Sequence, residues 1–285
     1  MSGLSRTMRW ARFGVLGGAV AVAMLVPGAG VMAAEAWPAA VNAKYKLKFN
    51  GISVGSIAFS SKAAGQTYSL TSNGEVSLLF GAIKWTGASN VAGAIEAVEP
   101  APKAYAFDWK RNKKGGVIKL GFAGHKAVDV AVEPPASAHH DTVPLTDKDK
   151  QGVVDPLSAI MALTTAAKGD PCDRRVKIFD GKQRFDIVLS PKRQTVIPAP
   201  KAGGASAVGY VCRAMYEPIA GHRANADQKA YAANRDAEVV LRKLPGSEAL
   251  IPHSVTIPTA WGTGTMVIDR VDVTSATAGQ FAVTE

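Results

Sequence analysis

Cysteine is nearly absent: Cys172 and Cys212 are the only two in 285 residues. Their wide spacing excludes a Cys-x-x-Cys redox motif, and no histidine cluster stands beside either one to complete a zinc site. Histidine is scarce too, with five in the chain. Only His139 and His140 are adjacent, in His139-His140-Asp141. Neighbouring side chains of an extended segment point to opposite sides, so the pair does not converge on one ion and reads as a solvated loop. No Gly-x-Ser-x-Gly elbow occurs, and no glycine-rich loop follows a strand and opens a helix. The first absence argues against a serine hydrolase and the second against a nucleotide cradle.

Long apolar runs are confined to one place, Phe13 to Val26. Its length of about 14 residues falls short of the about 20 that a membrane span needs. Arg6, Arg9 and Arg12 precede it, Pro27, Gly28 and Gly30 break it, and small residues follow. This is the layout of a cleavable secretory leader. Ala34-Glu35-Ala36 best fits the small-residue rule for cleavage, with Ala33 and Ala34 as neighbouring alternatives. We take 1–34 as the leader and 35–285 as a single periplasmic β domain. No arginine pair points to the twin-arginine route, and no cysteine stands near the cleavage site to take a lipid. The processed chain is expected to be soluble, with no transmembrane segment.

In an oxidising compartment the two cysteines read as a disulfide, Cys172–Cys212. A bridge closing a loop of about 40 residues contributes about 4 kcal/mol in the chain-entropy model. The chain is basic, with 33 Lys and Arg against 23 Asp and Glu. That balance suits lipid headgroups, lipopolysaccharide phosphates or cell-wall carboxylates. Nucleic acid is not expected as a partner in this compartment. The one dense basic run, Lys110-Arg111-Asn112-Lys113-Lys114, precedes Gly115-Gly116 and reads as a solvated hairpin turn.

Period-2 alternation dominates the rest. Val41, Ala43, Tyr45, Leu47 and Phe49 share one face while lysines take much of the other, and Asn50-Gly51 then marks a turn. Further strands are expected over 52–60, 66–75, 83–91, 103–110, 116–122 and 127–132. Residues 133–150 carry prolines and charges without a hydrophobic period and read as a loop that need not pack. One helix follows. Asp155 is its N-cap, Pro156 takes the first helical position, and Leu157, Ile160, Met161, Leu163 and Thr164 form its apolar stripe. Ser158 lies in its first turn, and Gly169 reads as its stop. Residues 174–179 and 182–189 flank Asp180-Gly181, the signature of a type I′ hairpin turn. Residues 191–208 read as a mobile Pro-, Ala- and Gly-rich loop. A strand over 210–216 carries Cys212, residues 225–236 are ambiguous with a short helix as one reading, and strands over 238–244, 250–257 and 262–273 close the chain.

About a dozen short strands with one main helix predict a mainly β fold. The sheet is expected to be large, antiparallel and strongly curved, closed or nearly closed as a barrel, with the helix plugging an end or covering an opening. A sandwich is the alternative.

Asp155-Pro156-Leu157-Ser158-Ala159 and the Phe179-Asp180-Gly181-Lys182 hairpin resemble the bacterial exported proteins of domain-of-unknown-function family 3108. Asn50-Gly51-Ile52-Ser53-Val54-Gly55, the Tyr68 strand and Ile251-Pro252-His253-Ser254-Val255-Thr256-Ile257 match the same pattern. The cysteine pair with Tyr216-Glu217-Pro218-Ile219-Ala220-Gly221 resembles the alphaproteobacterial members. The resemblance implies a curved antiparallel sheet and a role in the envelope. It carries over no catalytic residue. Half-barrels that carry lipoproteins hold acyl chains in a similar concave face, which is an analogy of fold alone.

Weighed for chemistry, Ser158 reads as part of a capped helix start and lacks a base and an oxyanion hole. Asp155, Asp180 and Asp186 are acids that could pair as in glycosidases, but the first two already have structural roles as cap and turn. His125, His222 and His253 are isolated; His222 beside Arg223 could meet an anion. Tyr45, Phe49, Phe59, Tyr68, Trp85, Tyr105, Phe107 and Trp109 serve either as core or as the lining of an apolar site. Neither cofactor, metal nor catalytic residue is assigned. The reading is a non-enzymatic binding or scaffold protein for a lipid, another apolar or amphipathic envelope molecule, or a protein partner. A hydrolase or modifying enzyme acting on cell wall or lipid is the alternative, and a purely structural envelope role is a third.

Overall fold

Alternation along the chain becomes fourteen antiparallel strands in the computed structural model, which describes residues 37–137, 139–165, 169–200, 205–244, 247–275 and 279–284. The leader expected over 1–34 lies outside them. The first seven strands are β1 (Ala40–Phe49), β2 (Ile52–Ala64), β3 (Thr67–Leu78), β4 (Ile83–Glu96), β5 (Glu99–Arg111), β6 (Lys114–Ala123) and β7 (Lys126–Glu133). Helix α1 (Pro156–Thr164) follows, then β8 (Arg174–Phe179), β9 (Arg184–Ile197) and β10 (Ala207–Ala220). Helix α2 (Ala226–Ala233) precedes β11 (Glu238–Lys243), β12 (Leu250–Thr259), β13 (Gly262–Ser275) and β14 (Gly279–Thr284).

The strands form one sheet in the order β7-β6-β5-β4-β3-β2-β1-β13-β12-β11-β10-β9-β8, with β14 paired to β13 off this path. On β1, Ala43 and Tyr45 are buried while Lys44 and Lys46 are exposed. On β3, Tyr68, Leu70 and Ser72 are buried between exposed Thr71 and Asn73. Each strand thus puts its apolar residues on one concave face. Bulges at Lys44/Tyr45, Leu47/Lys48, Ala92/Gly93 and Gly121/Phe122 bend the long strands and let the sheet curl.

The curl brings the two end strands near one another, and the segment just before α1 stitches them. Val153 N–H donates to the carbonyl of His125, which precedes β7, at 3.0 Å. Val154 N–H donates to Lys177 O, and Phe179 N–H donates back to Val154 O, each at 3.0 Å on β8. The result is a nearly closed barrel whose seam is filled by backbone rather than left as two bare edges. The β8–β9 turn also reaches across. A Cβ added to Gly181 would lie 2.6 Å from Ile118 on β6, and Lys182 Nζ stands 6.0 Å from the ring centre of Trp109.

Several expectations change. Helix α1 plugs the barrel and is buried on more of its surface than a single apolar stripe implies. It touches β3, β4 and β5 as well as β8 and β12, so it lies inside the barrel. Leu157, Ser158, Ala159, Met161, Ala162 and Thr164 are all buried, which is more than one stripe. It stops at Thr164, before Gly169. The Thr164 hydroxyl donates to Ile160 O at 2.9 Å, and the Thr165 hydroxyl donates to Met161 O at 3.0 Å. These hydroxyls add hydrogen bonds to carbonyls of the last turn, where the helix has run out of its own N–H donors. A second helix, α2, does form at 226–233.

The β8–β9 turn is not of type I′. Positive φ falls on Gly181 alone, at +97°, while the Asp180 side chain accepts from Lys182 N–H at 2.8 Å and Gln183 N–H at 2.6 Å. A type I′ turn needs positive φ at two successive residues, and here the Asp180 side chain closes the turn instead. Half of the loop expected over 191–208 is strand, because β9 runs to Ile197 and β10 starts at Ala207. Pro191, which cannot donate to a ladder, sits opposite Cys212 where the register shifts. The loop over 133–150 does pack. Val143 N–H donates to His222 O at 2.9 Å, and Gly221 N–H donates to Val143 O at 2.8 Å.

Candidate functional site

Helix α1 divides the interior unequally. Its Leu157 and Met161 join Tyr68, Leu70, Val91, Tyr105, Ile118 and Phe122 in a solid core on the β3–β7 side. On the other side, Ile160, Leu163 and Thr164 face a cavity of about 700 Å³. Val41, Ala43 and Tyr45 of β1, Ile187 and Leu189 of β9, and Val239 and Leu241 of β11 line it, with β12 and Met266 of β13 completing the wall. Small side chains at Ala43, Ala214 and Ala249 leave the space that larger ones would fill. Met161, Met215 and Met266 give the wall side chains that adapt to irregular shapes.

Polar atoms are turned away from the middle of this lumen. Tyr45 donates its hydroxyl to Pro252 O at 2.9 Å, and burial raises its phenol well above the ordinary range. Lys62 is the one lining residue of fixed charge, at the same end as Trp37, near the start of β1. The indole N–H of Trp37 is buried without a partner. At the opposite end the lining becomes polar without charge, through Gln183, Tyr216, Gln228, Tyr231 and Asn234.

That polar end lies beneath α2. Asn225 caps the helix, accepting from Gln228 N–H at 3.0 Å. Gln228 Nε2 donates to the Tyr216 hydroxyl at 2.6 Å, and that hydroxyl donates to Gln183 Oε1 at 3.1 Å. Asn234 Nδ2 donates to Pro258 O at 2.7 Å. No residue of α2 is buried. The helix is held over the mouth by side-chain hydrogen bonds, without an apolar anchor, which places it at the low-stability end of the fold.

The most strongly perturbed acid lies elsewhere. Asp155 accepts from Leu157 N–H at 2.9 Å and Ser158 N–H at 3.0 Å through one oxygen, and the Ser158 hydroxyl donates to the other. Ser158 Oγ is also 2.6 Å from the Tyr68 hydroxyl. Asp155 and Ser158 are fully buried, and burial pushes the Asp155 carboxyl up to about 6. Neither they nor Tyr68 line the cavity. A substrate carbonyl has no approach to Ser158, so the cluster is a helix start locked to the wall, not a nucleophile with its base.

The remaining sequence candidates separate. Asp180 is a turn residue whose carboxyl is raised by burial. Asp186 is buried and paired with Arg184 at 2.5 Å and Arg175 at 2.7 Å. Asp141 accepts from Arg223 Nε at 3.0 Å, so Arg223 is engaged, and His222 keeps a buried Nδ1 without a partner. Among the described residues no group of three or more His, Cys, Asp or Glu is placed to hold a metal ion. Of the aromatics, Tyr45 and Phe59 line the cavity while Tyr68 and Tyr105 belong to the solid core. Cys172 and Cys212 are joined, with their Cα atoms 5.2 Å apart, tying the approach to β8 to β10 across β9.

The sequence left open whether the aromatics line an apolar site or only fill a core, and it did not place the lumen. Its signal was the run of alanines on inward-facing positions, which alternation counts as core without asking whether they fill it.

The family model described as "Protein of unknown function (DUF3108)" matches residues 44–269. Among solved structures, the chain is similar to the crystal structure of a beta-barrel-like protein of domain of unknown function DUF1849 from Brucella abortus. The identity is 12%, with 83% of this chain and 98% of that chain covered, at a TM-score of 0.46. No curated protein matches.

Proposed function

The chain belongs to the DUF3108 family, and we propose that it is a non-enzymatic carrier that holds the apolar part of an amphipathic envelope molecule in its barrel. The observation that carries this reading is the lumen: a cavity of about 700 Å³ walled mostly by aliphatic and aromatic side chains. Its size is within the roughly 300–1,000 Å³ of small-molecule sites. The apolar tail lies along Ala43, Leu189 and Leu241, and the polar head rests under α2 among Gln183, Tyr216 and Gln228. These groups donate and accept but carry no charge, so they hold a head by hydrogen bonds. The leader pattern of residues 1–34 and the single disulfide support a place in the periplasm.

Titration of the delipidated protein with a fluorescent long-chain acyl probe tests the reading. Saturable binding at one site, with emission shifted to that of an apolar surrounding, is expected. No saturable binding by delipidated, folded protein overturns it.

A further inference from the structure

We propose that the end of the barrel at which α2 sits is a docking surface for an anionic phospholipid bilayer. Four strand connections form it: β1–β2, β3–β4, β5–β6 and β12–β13. The pairing puts them side by side, and hydrogen bonds join them in two pairs. Asn50 N–H donates to Thr263 O at 2.9 Å, and Thr263 N–H donates to Asn50 Oδ1 at 2.8 Å. Asn112 N–H donates to Lys84 O at 2.9 Å, and Lys84 N–H donates to Asn112 Oδ1 at 2.8 Å. Residues β2 and β3 contribute link the pairs, through Gly55 opposite Val76.

This rim presents large apolar side chains to solvent. Ile52 and Leu79 are each 70% exposed, Trp261 is 83% exposed, and Phe80 is fully exposed at the β3–β4 tip. Turn geometry does not require them. Asn50 and Asn112 take the left-handed positions of the flanking turns, with φ of 49° and 52°, as suits a side chain that tolerates that region. At the middle tip the same conformation is carried by Leu79 and Phe80, with φ of 51° and 54°. Two consecutive bulky residues there cost conformational energy as well as apolar exposure, and such cost at a surface tip points to an interaction.

Charge selects the partner. Lys84 follows the apolar tip, and Arg111, Lys113 and Lys114 form the turn hydrogen-bonded beside it. Residues 48–54, 77–85, 109–118 and 257–266 contain no acid. At the other end β4–β5 carries Glu96 and Glu99, whereas β2–β3 and β6–β7 carry no acid. Exposed Leu, Phe and Trp ringed by Lys and Arg match an acyl–headgroup boundary with anionic lipid above it. Asn234 on the cavity lining bonds Pro258, three residues from Trp261, so the same rim borders the mouth. The inference needs only the tips and stands whether or not the lumen takes a ligand.

Sedimentation of the protein purified from cells with phosphatidylglycerol-containing vesicles tests it, against pure phosphatidylcholine vesicles. Binding is expected with the anionic vesicles. Leu79→Asn with Phe80→Asn fits the left-handed backbone better than the native pair, so this variant keeps its fold. It should bind about tenfold more weakly or worse. Lys113→Glu with Lys114→Glu should weaken binding by about tenfold or more. Unchanged binding in either double variant, or equal binding to both vesicle types, overturns the proposal. So does an absence of vesicle binding by a protein that still takes up the acyl probe, and that outcome leaves the carrier reading standing.

Discussion

The hydroxyl of Tyr68 on β3 lies 2.6 Å from the hydroxyl of Ser158 on α1, both inside the barrel. With Asp155 ionised, the Ser158 proton goes to the carboxylate, so its oxygen accepts from Tyr68. A capped helix start is thereby fastened to the wall it packs against. Ser158→Ala leaves the Tyr68 hydroxyl buried without a partner and should cost about 1–3 kcal/mol. Tyr68→Phe removes only the outer bond and should cost about 1 kcal/mol. Urea unfolding of both variants and of the double variant checks this. Equal single effects that simply add would contradict the shared chain.

Asp155 should give the stability curve an unusual slope. Its carboxyl is raised by burial to about 6 from an ordinary 3.8. Between those values the native state holds a proton that the unfolded chain has released. The stability due to this group therefore rises as pH falls from about 6 to about 4, by roughly 3 kcal/mol. Asp155→Asn removes the titration. Its deficit relative to the native sequence should be larger near pH 5 than near pH 7.5; a pH-independent difference would remove the argument.

The Cys172–Cys212 bridge closes 40 residues, and opening it should cost about 4 kcal/mol in the chain-entropy model. Cys172→Ser under oxidising conditions should lower the thermal midpoint by several degrees, and reductant should do the same to the native chain. An unchanged midpoint in both would mean that the bridge adds no stability.

An enlarged residue at Ala43 distinguishes a lumen from a packed core. Overpacking a core costs about 1–3 kcal/mol. Ala43→Phe instead points into the cavity and should leave stability unchanged or raise it, while weakening acyl-probe binding by about tenfold or more. A large loss of stability would show the space to be filled.

Much of this fold was legible because its signals are local. The alternation of Ala43 and Tyr45 with Lys44 and Lys46 places β1 by its period alone. Asp155 and Pro156 mark the start of α1 because cap chemistry depends on a few neighbouring backbone groups. The burial of α1 on several sides was not read, although Ser158, Ala159 and Ala162 had already made it apolar or small on nearly all sides, as a buried helix is. Pro191 concealed the second half of β9, since the bulge opposite Cys212 that accommodates it depends on the partner strand. The lumen was least legible: Ala43, Ala214 and Ala249 come together only when β1, β10 and the β11–β12 connection meet. Leu79 and Phe80 fall between the strands expected over 66–75 and 83–91, and nothing in the local sequence marks them as an exposed tip.

Native mass spectrometry of the protein purified from a bacterial periplasm, with organic extraction of what is bound, tests the carrier reading most directly. A stoichiometric adduct of an apolar-tailed molecule is expected, released on extraction and diminished in Ala43→Phe. The bare polypeptide mass, persisting after incubation with excess lipid, would contradict it.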